Sequence, residues 1–182
     1  MTTTLTLGAG ALLADFTPTA TTAAALRREL MDAVKTHALS ETTGAGSFRA
    51  IPLVRNIWEG ARRTASADAT LLDGWKVSLA SHFTRVKPDT ISALLPWAWS
   101  EQRGRITTLS APEATLGVTV FPKISWIGET SSGLALIDLQ NAAHTIGLSL
   151  TFLPGDGGAA PFELRAHSSG SDAPFAITFL EN

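Results

Sequence analysis

The sequence predicts a mainly β protein whose antiparallel strands form a sandwich or barrel, and three observations lead there. Across residues 115–182, Leu116, Val118, Val120, Ile124 and Trp126, then Leu148, Leu150 and Phe152, then Phe162 and Leu164, then Phe175, Ile177 and Phe179 recur at every second position. That period lines up one face of a strand, so each run can bury one side and wet the other. Between the runs, residues 128–133, 154–161 and 168–174 are clusters of Gly, Pro, Asp and Ser that reverse a chain. Eight or nine short strands follow one another at fairly regular intervals without helical patterns between them. Parallel βαβ units, which need a helix at each crossover, are thereby disfavoured.

Taken in order, residues 1–21 are rich in Thr, Ala and Gly and read as an arm without fixed structure of its own. Residues 23–39 change period: Leu26, Leu30 and Val34 lie four apart with Ala33 or Ala38 beside them, Arg27, Arg28, Glu29, Asp32 and Lys35 supply a wet face, and Thr21 or Thr22 can cap. This predicts one helix, ended by the turn-forming residues 40–46. Residues 47–58 read as an edge strand that tolerates Pro52, with a short helix as the alternative. Residues 62–73 are polar and read as a loop. Trp75, Val77, Leu79 and Phe83 return to period two, as residues 90–95 do more weakly, and residues 106–109 form a short strand after a turn at 102–104. The domain reading is an arm with its helix over 1–46 and a β-sandwich over 47–182.

Composition narrows the function classes. The 182 residues suffice for a full hydrophobic core. Cysteine is absent, which removes disulfides, thiolate metal sites and cysteine nucleophiles together. Net charge is −2, yet residues 1–105 carry 12 Lys and Arg against 9 Asp and Glu, while residues 106–182 carry 2 against 7. Contact with a polyanion therefore belongs to the first half, although no basic run exceeds Arg27-Arg28 or Arg62-Arg63. No window holds the roughly 20 apolar residues that span a bilayer, and residues 1–13 lack the charged leader and long apolar run of a signal peptide. A soluble, non-membrane, non-secreted protein is expected.

Catalytic constellations do not emerge. His37, His82, His144 and His167 form no H-x-x-x-H or H-x-H pair, so no metal site is expected. No G-x-S-x-G elbow exists, and His167 beside Ser168, Ser169, Ser171 and Asp172 is ordinary turn composition. Gly155-Asp156-Gly157-Gly158 precedes a strand rather than a helix, unlike a phosphate cradle. No enzyme and no cofactor is expected. Trp58, Trp97 and Trp99 read as interface aromatics, or alternatively as the stacking face of a carbohydrate-binding β-sandwich module.

Segment by segment, residues 75–182 resemble a known family. Phe83-Thr-Arg85 leading into residues 90–97, then residues 115–122 ending in Pro122, then residues 133–139 with a helix-or-turn at 141–145 and residues 147–154, and finally the hairpin of residues 161–164 and 173–179 carry the likeness. The pattern is similar to the coat proteins of small icosahedral viruses, with the tymovirus-like group nearest. The resemblance implies a single eight-stranded jelly roll, to which the reading of the residues themselves adds the N-terminal arm and the short helix at 23–39. It also implies a structural virion subunit that assembles with copies of itself around nucleic acid. On that reading Arg27, Arg28, Lys35 and His37 are the candidate nucleic-acid contacts.

Overall fold

A computed structural model describes residues 3–44, 46–56, 70–84, 86–95, 99–110, 121–131, 133–147, 149, 160–167 and 173–180. They are mainly strand, and the pairings between strands are antiparallel.

The first strand, β1 (Thr3–Ala14), corrects the reading of the N-terminus as an unstructured arm. It lies inside the sheet with Leu7, Leu12 and Leu13 fully buried. The alternation that would have announced it is broken by a bulge between Leu7 and Gly10. An extra residue there reverses the side-chain phase, so that Leu7 and Leu12 both face one core while Ala11 and Leu13 face another. A strand buried on both faces reads as a continuous apolar run.

Helix α1 (Ala23–His37) forms as the four-residue spacing predicts: Thr22 caps it by accepting from the Ala25 N–H, and Leu26, Leu30, Ala33 and Val34 supply its apolar stripe. Glu29 pins the approach to the helix, its carboxylate accepting from the backbone N–H groups of Thr19 at 2.9 Å and Ala20 at 2.8 Å. Those bonds, Thr19 first, hold the Glu29 carboxyl below its ordinary value. Where a turn was expected at 40–46, the chain enters a strand, β2 (Ala38–Thr42), whose buried positions are the polar Ser40 and Thr42. Turn-like composition concealed a strand whose inward side chains have partners.

Strands β3 (Gly46–Asn56) and β4 (Thr70–Phe83) pair along their length. The expected strand over 90–95 is instead a helix, α2 (Pro88–Leu94). Pro88 opens it, where a missing N–H costs nothing and the fixed φ suits a helix. The Thr90 hydroxyl donates to the Leu39 carbonyl at 2.7 Å and Leu94 enters the core. The segment that likened residues 90–97 to a coat-protein strand therefore falls. A separate hairpin follows, β5 (Trp99–Arg103) with β6 (Ile106–Ser110), turning at Gly104 with φ 64°.

The remaining strands are β7 (Phe121–Thr130), β8 (Gly133–His144), β9 (Ala160–Ala166) and β10 (Phe175–Leu180). Strand β8 runs on through the expected helix-or-turn at 141–145, bending at Asn141 with φ 47°. Eight strands make one sheet in the order β10-β8-β7-β1-β2-β4-β3, and β9 joins β4 to β8. Because β1 also pairs with β3, the strands β1-β3-β4-β9-β8-β7 complete a hydrogen-bonded ring. One cluster drawing on all six ring strands fills its interior, with Leu7, Phe48, Leu79, Phe162, Ile137 and Trp126 among its members. A second cluster lies between the outer face of β1, β7, β8 and β10 and helix α1.

Candidate assembly surface

The ring explains where exposed apolar residues collect. Among the described residues, β1 pairs with β3 as far as Thr3–Ala50, and β9 pairs with β4 from Val77 onward. Past those points the described pairs of β3 and β4 are with each other, Val54 opposite Leu72 and Arg55 opposite Leu71. The six residues of β3 beyond Ala50 extend about 20 Å at the usual rise per residue. Trp75 anchors the base of this ribbon by an edge contact with Phe175, ring centroids 5.5 Å apart. Farther out, Leu53, Val54, Leu71 and Leu72 are exposed by 49, 59, 45 and 54%. Isolated exposed aliphatics are ordinary; four together on one ribbon make it the candidate surface among the described residues. Arg55 and Asp73 form an ion pair on it at 3.3 Å.

A cavity of about 400 Å³ lies beside α1, lined by Arg27 and Met31 of the helix, Glu129 and Thr130 of β7, and Gly133 and Leu134 of β8. Sequence reading missed both ribbon and cavity. The doublets Leu53-Val54 and Leu71-Leu72, apolar on both faces of a strand, were the available signal for the ribbon; the cavity depends on tertiary packing.

The four proposed nucleic-acid contacts are all exposed on α1. Arg28 and Lys35 stand two turns apart on one face, where Lys35 pairs with Asp32 at 3.2 Å. Arg27 lines the cavity. His37 ends the helix, where with Lys35 it complements the negative end of the helix dipole. Trp58 and Trp97 lie outside the described residues, and Trp99 opens β5 opposite Ser110.

Two buried polar groups invite a chemical reading. Ser125 donates to Asp138 at 2.5 Å, and Lys123 reaches the other carboxylate oxygen at 3.0 Å. A hydroxyl with 0% exposure offers a substrate no approach, so this trio satisfies its own polarity on the helix-facing side of the sheet. His144, 4% exposed at the end of β8, leaves Nε2 without a partner among the described residues. Burial lowers its pKa from the ordinary 6.5, opposed by a hydrogen bond to the Leu94 backbone and the charge of Glu163. Among the described residues, no three His, Asp or Glu side chains converge as metal ligands, and no helix is long and apolar enough to cross a membrane. No known protein-family model matches the chain, and no curated protein does.

Proposed function

We propose that the chain is a structural subunit that assembles with copies of itself into a closed coat, the class its strand pattern resembles. The observation that carries this reading is the apolar ribbon of β3 and β4, which projects from a ring whose own core needs none of Leu53, Val54, Leu71 or Leu72. A self-associating chain gains by covering such a ribbon, and symmetric assembly covers it in every copy at once. In this reading Arg28 and Lys35 face the enclosed nucleic acid, and their small number makes subunit contacts rather than charge the main source of assembly free energy.

Light scattering coupled to size exclusion, with negative-stain microscopy, tests it on purified protein at micromolar concentration. Multi-copy closed particles are expected. A monomer throughout a salt and pH series overturns the reading.

A further inference from the structure

We infer that helix α2 is an acid-released latch at one end of the ring, and that His144 is the group whose protonation releases it. This inference is independent of the self-assembly reading.

Strands β4 and β8 end, and β7 and β9 begin, at the same end of the ring, where Phe83 pairs with Ala160, Phe121 with Ala142 and His144 with Leu164. Directly opposite residues share a face of the sheet, and Leu164 belongs to the interior cluster, so the imidazole points inward. Helix α2 meets it there, with Leu94 in the same cluster.

Three contacts hold the helix. The Thr90 hydroxyl donates to the Leu39 carbonyl, Leu94 is buried, and His144 bonds the Leu94 backbone. That last bond favours the charged imidazole, so its acceptor is the carbonyl, one of the four that the end of a helix leaves without an intrahelical partner. Because Nε2 has no partner among the described residues, Nδ1 is the donor.

Acid adds the second proton at Nε2, where no described residue accepts it. A buried charge without a hydrogen-bond partner is costly. Among the described side chains around this end, the other charged or titratable groups are Glu163 and Arg165 on β9, His82 on β4, Glu41 on β2, Lys123 on β7 and Lys87 before α2. Glu163 is engaged by Arg165 at 3.0 Å and Lys123 by Asp138 at 3.0 Å, while His82, Glu41 and Lys87 are exposed. The charge of Glu163 favours the imidazolium, but burial outweighs it.

The element that yields is α2. At this end β4 is bonded to both β2 and β9, and β8 to both β7 and β9. Helix α2 has seven residues, too few to persist as a helix away from its contacts, so it opens locally while the ring stays paired. Burial holds the closed imidazole below the ordinary 6.5, and solvation in the open state restores that value. The open state therefore takes up the proton first, and opening becomes about tenfold more favourable between pH 7.5 and 5.5.

Amide hydrogen exchange resolved by residue tests this, with rates divided by those of an unfolded chain at the same pH. The reporters are the N–H groups of Ile91 and Leu95, which donate to Lys87 and Ile91; Trp126 and Ile137 report the ring. Protection of the α2 pair is expected to fall about tenfold from pH 7.5 to 5.5 while the ring's is unchanged, and His144→Gln is expected to remove the pH response. Constant protection in α2, a parallel loss in α2 and ring, or a parent-like response in His144→Gln overturns the latch. The parent alone supplies a further check through NMR titration of the His144 ring: a midpoint below 6.5 that tracks the loss of α2 protection is expected, and an ordinary midpoint with α2 still protected overturns it.

Discussion

At the scale of single residues, the packing around Trp126 shows how little slack the interior has. The indole is fully buried and its N–H donates to the Thr42 hydroxyl at 3.0 Å. Room for the ring comes from the cross-strand glycines Gly10 and Gly128: a Cβ at Gly128 would lie 2.5 Å from the ring carbon Cζ2 and 2.7 Å from the Gly10 Cα. Thr42→Val keeps shape and β-branching but leaves a buried N–H without an acceptor. A loss of about 1–3 kcal/mol is expected, read as a lower urea midpoint at unchanged slope; an unchanged midpoint would show that the indole has another partner. The inward position of Trp126 was legible from its period-two run. The roles of Thr42 and the two glycines were not, because cross-strand neighbours separated by more than 80 residues define them.

Elements were legible in proportion to how local their causes are. Helix α1 and the strands β9 and β10 follow from spacing within a few residues. Strand β1 hides behind its bulge, β2 behind turn-like composition, and α2 behind apolar residues whose weak alternation suited a strand as well as a helical turn. Two of these elements are held by titrating groups, in separable pH windows. His144 bonds the α2 backbone at Leu94 and its folded pKa lies below 6.5. The unfolded chain therefore takes up a proton first as pH falls below about 6.5, and stability declines from there downward. Glu29, which anchors the approach to α1, has a folded pKa below 4.5, so its contribution is present above that value and is lost as pH falls through the lower folded one. His144→Gln, which keeps a donor for Leu94, is expected to flatten the decline between about pH 6.5 and 5, and Glu29→Gln to flatten the one below about 4.5. Urea midpoints measured across pH decide this; a variant that keeps the parent's slope in its own window rules out its assigned group.

For the whole molecule, the mainly β, antiparallel, eight-stranded fold was legible, while ring closure was not, since it depends on β1 reaching both β3 and β7 and on β9 bridging β4 and β8. Closure matters because it separates stability from association. Interior packing belongs to the ring and to the α1 cluster, whereas Leu53, Val54, Leu71 and Leu72 lie beyond the last described pairs with β1 and β9. Stability and assembly should then respond to different substitutions. The double variant Val54→Ser, Leu72→Ser removes exposed aliphatic carbon and leaves the ring's pairs and core untouched. Exposed sites of this kind typically move stability by no more than about 0.5 kcal/mol each, so the urea midpoint of the dissociated chain should hardly change. Association through the ribbon should weaken strongly, because two fully covered aliphatics contribute roughly 1.5–3 kcal/mol apiece. Sedimentation equilibrium of parent and variant at matched concentrations provides the comparison. Equal association would place the self-contact elsewhere on the molecule, and a large fall in the midpoint would mean that the ribbon is part of the folding core after all.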